Sequence, residues 1–264
     1  MPVANVNGTT IRYEIDGEDA DSPTVLLSNS LASNLTMWDP QVASLRGAGY
    51  RVVRYDSRGH GQSAVPVGPY NIELLADDAA ALIDTLQLGA VHFCGLSKGG
   101  MVAQNMGSRH PDKILSLVVC ASAAQMAPAS VWDDRIGMVR ESGLVAVAEA
   151  TLQRWFTEPG QQRLPETINA VREMILTTPA EGFIACCEAI KVMDQRETNR
   201  GINKATTVIV GSDDPSTTPE HARVIASTID GAQVVEIPEA AHFVNMEQAD
   251  AFNDALLAHL GRVT

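Results

Sequence analysis

Positive charge is scarce in this sequence: 19 Lys and Arg stand against 32 Asp and Glu in 264 residues, a formal net charge of −13. Nucleic acids and anionic membrane surfaces are held by basic patches, so neither is an expected partner. The same imbalance gives no long-range attraction to an anionic small molecule, so such a substrate would need a local cation to hold it. Long apolar runs are missing as well, and no stretch reaches the roughly 18 residues of a membrane-spanning helix. The first ten residues have neither a basic start nor an apolar core of the kind that marks a leader. Paired cysteines are absent too: Cys94, Cys120, Cys186 and Cys187 contain no C-x-x-C, and the adjacent pair falls in a helical pattern where it cannot easily bridge to itself. Four reduced thiols in a cytoplasmic protein are the expectation. There is no internal repeat and no low-complexity linker.

What is present is an ordinary globular composition, 45% hydrophobic and 19% charged, in a chain long enough for one large domain with an excursion. Short β-branched runs alternate with helical patterns through the first half, the signature of βαβ units and a mostly parallel sheet. Strands are predicted over residues 3–6, 11–16, 25–28, 52–55, 91–96 and 115–121, the first two forming a hairpin around Asn7-Gly8. Helices are predicted over 72–86 and 101–109, the second stopped by His110-Pro111. After Ala121 the alternation ends. Only helical segments follow, over 131–142, 144–156, 166–177 and 180–194, and these read as a helical lid. Strands resume over 207–210 and 233–237, with helices over 219–228 and 248–260. The expected organisation is a core over 1–124, a lid over 125–195 and the rest of the core over 196–264.

Gly95-Leu96-Ser97-Lys98-Gly99 fits G-x-S-x-G at the end of a predicted apolar strand and the start of a helix, the context this nucleophile turn requires. The turn is so tight that only small residues fit around the serine, whose oxygen is left exposed. A serine hydroxyl is a poor nucleophile at neutral pH and needs an imidazole base oriented by a carboxylate. Of six histidines, His92 lies in a strand, and His110, His221 and His259 lie on or beside helices. His60 and His242 remain, and His242 follows the last strand, as the chain order Ser, acid, His demands. The acid is Asp213 or Asp214, just past the strand ending near Val210; either could instead cap the next helix. All three positions fall at the carboxyl edge of the sheet, where open parallel sheets bind ligands. The oxyanion hole is expected from the backbone N–H of Lys98 and one from the loop Ser28-Asn29-Ser30-Leu31-Ala32, with Leu31 as the second donor.

Together, Asp56-Ser57-Arg58-Gly59-His60-Gly61-Gln62-Ser63, Phe93-Cys94-Gly95-Leu96-Ser97, Arg154-Trp155-Phe156 and Ala241-His242-Phe243 resemble the α/β-hydrolase superfamily, and within it most closely the 3-oxoadipate enol-lactonases. The resemblance implies an eight-stranded, mostly parallel sheet flanked by helices, with a helical lid inserted after the sixth strand. It implies hydrolysis of a five-membered enol-lactone bearing an acetate arm to 3-oxoadipate, through an acyl-enzyme, in aromatic-acid catabolism. No cofactor and no metal are expected. In relatives the acid closes a G-x-x-D sequence, which favours Asp214 in Gly211-Ser212-Asp213-Asp214. Two departures bear on the pocket: Lys98 stands where methionine or glutamine is usual, and Ala32-Ser33 where a glycine is common.

A substrate carboxylate in so acidic a protein would need a cation, and Arg135, Arg154 and Lys98 are the candidates. Trp132 and Trp155 could wall the lactone ring or merely pack the lid on the core. The same triad also serves general carboxylesterases, perhydrolases and carbon–carbon hydrolases, and a hydrolase-like lactone receptor would retain it; the residues leave these open. The expected partners are a small lactone or ester and, at most, a weakly held second copy of the chain.

Overall fold

The chain opens with β1 (Val3–Val6) and β2 (Thr9–Asp16), an antiparallel hairpin registered Val6 opposite Thr9. A computed structural model describes residues 1–17, 21–126 and 128–263. Residues 127 and 264, inside the expected lid and at the end of the second core segment, lie outside the described residues. From β2 the sheet passes to β3 (Thr24–Ser28), α1 (Asp39–Gly47), β4 (Arg51–Tyr55), α2 (Ile72–Thr85), β5 (Val91–Leu96), α3 (Lys98–Arg109) and β6 (Ile114–Cys120). Five helices then intervene: α4 (Ala129–Ser142), α5 (Val145–Trp155), α6 (Glu158–Arg163), α7 (Pro165–Thr177) and α8 (Ala180–Val192). The core resumes with β7 (Thr206–Gly211), α9 (Pro219–Thr228), β8 (Gln233–Ile237), α10 (Val244–Glu247) and α11 (Ala249–Val263).

The sheet has eight strands in the order β1-β2-β4-β3-β5-β6-β7-β8, antiparallel at the β1-β2-β4 end and parallel from β4 onward. β3 and β5 are buried along their whole length, as central strands covered on both faces must be. α2 packs on α3 along one face, and α1 packs on α11 along the other. The helical insertion closes at its base, where Gln125 bridges to Asp194 and the Gln195 N–H donates to the Ala124 carbonyl at 2.8 Å. No helix among the described residues is long and apolar enough to cross a membrane.

The predicted strands and the 219–228 helix coincide with observed ones to within two residues. Three helices were not foreseen. α1 begins Asp39-Pro40 and carries little apolar periodicity, α6 holds a proline and a glycine in six residues, and α10 is a single turn. α3 starts at Lys98 rather than 101, because Gly99 and Gly100 are helical although they read as breakers.

Candidate active site

Three strand ends in the sheet bring the candidate residues together. Ser97 sits between β5 and α3 in a left-handed backbone conformation, φ 57° and ψ −113°, a region that costs a non-glycine residue energy and persists only when the surroundings impose it. The Ser97 N–H donates to the Cys120 carbonyl at 2.8 Å, and the Ser97 carbonyl accepts from Ser122 Oγ at 2.8 Å. A Cβ on Gly95 would strike the Gly99 carbonyl, and one on Gly99 would strike the Ser28 carbonyl, so both glycines are required by close approach of backbone.

Asp214 and His242 meet across the loops after β7 and β8. Asp214 Oδ2 lies 2.8 Å from His242 Nδ1, and both residues are buried. The remaining capacity of the carboxylate is filled by the N–H groups of Ser216 and Thr217, at 2.7 and 3.0 Å, and by Thr217 Oγ1 at 2.7 Å. Burial opposes ionisation of Asp214, but the adjacent imidazole and these hydrogen bonds outweigh it and hold the pKa below the usual carboxylate value. Asp213 is exposed, and among the described residues its carboxylate accepts from Ser212 Oγ and not from His242. The choice left open by the residues alone therefore falls on Asp214. Its loop can approach that of His242 because Gly211 has no side chain: a Cβ there would strike the carbonyls of Ala240 and Ala241.

Ser97 and His242 both line a cavity of about 250 Å³ roofed by the helical insertion, with Trp132, Arg135, Arg154 and Trp155 in its wall. Leu31 faces it from the loop after β3. The backbone N–H groups of Leu31 and Lys98 have no acceptor among the described residues. Arg135 lies 5.0 Å above the Trp132 ring, Arg154 touches Thr151 Oγ1 at 3.3 Å, and neither pairs with a carboxylate among the described residues. Burial lowers the pKa of both, and for Arg154 the neighbouring charge of Arg135 adds to it. Two half-buried to buried guanidinium groups in the wall of one small cavity, without a carboxylate partner among the described residues, have the chemistry to accept an anion.

Lys98 was a third candidate cation, and the structure removes its side chain from that role. Lys98 does not line the cavity; its ammonium is buried and donates to Ser57 Oγ.

Residues that the sequence did not single out hold the site in place. Both oxygens of buried Glu247 are used: Oε1 accepts from the Thr157 N–H at 2.9 Å and Oγ1 at 2.6 Å, and Oε2 accepts from the Ala241 N–H at 2.7 Å. This carboxylate joins the helical insertion to the residue before His242. The segment from Asp56 to Ser63 braces the loop after β3. Asp56 Oδ1 accepts from the Leu35 N–H at 2.7 Å, and His60 Nε2 accepts from the Ala32 N–H at 3.1 Å. Ala32 has φ 54°, which accounts for a glycine being favourable there. His60 is kept neutral by burial and by the charge of Lys98, which together hold its pKa well below normal. No signal in the sequence pointed to Glu247; the motif holding Asp56 and His60 was visible, but not what it supports.

Among the described residues no cluster of three His, Cys, Asp or Glu side chains is placed to hold a metal ion, and the four cysteines are free and buried.

Comparison with known proteins extends the resemblance over the whole chain. The family model for the α/β hydrolase fold matches residues 23–249. 3-Oxoadipate enol-lactonase 2 of Acinetobacter baylyi is 37% identical over 268 residues, spanning 99% of this chain and 99% of its own. The crystal structure of the enol-lactonase from Burkholderia xenovorans LB400 has a TM-score of 0.95 at 42% identity, covering 98% of this chain and 100% of that one. A thermophilic esterase from Thermogutta terrifontis, solved with malate bound, has a TM-score of 0.92 at 30% identity, covering 100% of this chain and 99% of its own.

Proposed function

The chain belongs to the α/β-hydrolase fold family, and from that premise we propose that it is a cytoplasmic serine hydrolase that opens a small carboxylate-bearing enol-lactone, 3-oxoadipate enol-lactone, to 3-oxoadipate. The observation that carries the substrate class is the pair Arg135 and Arg154, unpaired with any carboxylate among the described residues, in the wall of the cavity that also holds Ser97 and His242. The enol-lactonase names of the relatives support the same ring and arm, and malate bound to the 30%-identical esterase is in keeping with an anion-accepting pocket.

In the proposed reaction, His242 takes the proton of Ser97 through Nε2 while Asp214 holds Nδ1–H and favours the imidazolium that forms. The serine oxygen attacks the lactone carbonyl, and the N–H groups of Leu31 and Lys98 receive the developing oxyanion. The ring C–O bond breaks to give an acyl-enzyme and an enol that becomes a ketone, a leaving group that departs readily. His242 then activates water, which releases the second carboxylate and regenerates Ser97. Arg135 and Arg154 hold the acetate arm, Trp132 and Trp155 wall the ring, and residues 125–195 serve as the lid. No cofactor enters the scheme.

The test is steady-state hydrolysis of 3-oxoadipate enol-lactone, followed by loss of its ultraviolet absorbance, beside p-nitrophenyl acetate and the Ser97→Ala variant. Rapid lactone turnover that disappears with Ser97 supports the proposal. Good esterase activity without lactone turnover retains the triad and discards the substrate.

A further inference from the structure

We propose that the Lys98 side chain is a positioning residue for the oxyanion hole, setting the spacing between the two backbone N–H groups that receive the negative charge. The inference rests on the donor assignment above but not on the identity of the substrate.

Lys98 contributes to the site at both ends. Its backbone N–H, at the start of α3, is one donor. Its side chain runs the other way, is 1% exposed, and donates from Nζ to Ser57 Oγ in the loop after β4. The Ser57 N–H donates to Asn29 Oδ1 at 3.0 Å. Asn29 Nδ2 in turn donates to the carbonyls of Ser30 at 3.0 Å and Ser33 at 2.9 Å. These carbonyls lie on either side of Leu31, the residue that carries the second donor. A continuous chain of buried hydrogen bonds thus runs from one oxyanion donor to the loop bearing the other, across the ends of β5, β4 and β3, which are neighbours in the sheet.

The cost of this arrangement argues that it has an effect. A buried ammonium gives up hydration worth several kcal/mol, and here no carboxylate pairs with it among the described residues. Burial accordingly pulls its pKa below the ordinary lysine value. An apolar chain of equal length would fill the same space without that penalty, but it would cut the one side-chain bond described between Lys98 and Ser57, and with it the link from α3 to Asn29. The donors act only when both lie within about 3 Å of the oxyanion, and a displacement on the order of 1 Å is enough to lose most of their effect.

The experiment compares Lys98→Met, Ser57→Ala and the double variant with wild type, on 3-oxoadipate enol-lactone and on p-nitrophenyl acetate. It adds the affinity for benzeneboronic acid, whose tetrahedral adduct with Ser97 uses the same two donors. The expected result is a loss of kcat of roughly 10- to 100-fold in each single variant with KM within about twofold. The boronate affinity should fall in proportion, and the double variant should be no slower than the worse single one, since both cut one chain. Wild-type kcat and boronate affinity in Lys98→Met, a loss confined to KM, or losses that multiply in the double variant would each overturn the proposal. If Ser57→Ala does not fold, Lys98→Met decides alone, because it leaves no buried charge unpaired. If the lactone is not turned over at all, the substrate assignment falls while the ester and boronate readings still decide the role of Lys98.

Discussion

Trp155 and Phe243 stack with ring centroids 4.1 Å apart and planes 12° from parallel, and the Phe243 N–H donates to the Trp155 carbonyl at 2.9 Å. The last residue of α5 is thereby fastened to the residue after His242. With Glu247 clamping Thr157 to Ala241, the helical insertion and the loop of the base are one packed unit. The insertion therefore helps hold the imidazole, besides roofing the cavity.

Glu247→Ala should destabilise the protein by roughly 2–5 kcal/mol, because the N–H groups of Thr157 and Ala241 lose a shared charged acceptor in a buried setting. It should also lower kcat by loosening His242. Urea denaturation beside kinetics at a temperature where the variant is folded checks both, and wild-type stability would mean that the clamp carries no net energy.

Asp214→Asn should lower kcat by about 10³- to 10⁴-fold while leaving the fold intact, since the amide can no longer hold the imidazolium or fix its tautomer. Asp213→Asn, at an exposed position whose side chain accepts from Ser212 Oγ and not from His242, should change kcat by less than about twofold. Equal losses in the two variants would reassign the acid.

Arg135→Gln and Arg154→Gln should each raise KM for the anionic lactone by about 10- to 100-fold, the usual worth of a hydrogen bond to a charged group, with little effect on p-nitrophenyl acetate. An equal rise for the neutral ester would show that the guanidinium groups shape the pocket rather than hold a carboxylate.

Acid should weaken the fold through its buried histidines. His259 is held down to about 4 by burial first, then by the charges of Arg262 and His92; burial also lowers His92, and His60 lies well below normal. Because these folded-state values lie below the ordinary 6.5, the unfolded chain binds more protons in the intervening range. Their stability is fully present above pH 6.5 and is lost as pH falls toward 4, with His259 contributing roughly 3 kcal/mol of that loss. The buried carboxyls of Asp56 and Asp78, raised by burial, act in the opposite direction. Urea midpoints at pH 7.5, 5.5 and 4.5 measure the slope, and His259→Gln should flatten it.

The sheet and most of its helices could be read from the sequence because their signals are local: β-branched runs, helical spacing, and glycines placed around Ser97. The Ser97 turn and His242 were visible for the same reason, each being tied to the end of a strand. Asp213 and Asp214 could not be separated by pattern, because what separates them is burial against Thr217 and His242, a contact between distant segments. The same applies to Lys98, whose charge suggested a ligand-binding role until its side chain was seen to turn toward Ser57. Glu247 left no trace in the sequence: a glutamate before a C-terminal helix looks like surface, and only the folded chain brings it between Thr157 and Ala241.

The two cavity arginines sit in a molecule whose formal charge is −13. For the proposed anionic substrate this means repulsion by the protein as a whole and attraction only within the last few ångströms. Dissolved salt separates these effects, since the far field fades beyond a Debye length of about 8–10 Å near physiological strength, whereas a partly buried pair is screened much less. Adding salt should therefore first raise kcat/KM for the anionic lactone as repulsion at the entrance weakens, then lower it once the grip of Arg135 and Arg154 weakens in turn. A neutral ester should show no such maximum, so ionic strength would tune the preference of this enzyme for charged over uncharged substrates without altering any residue.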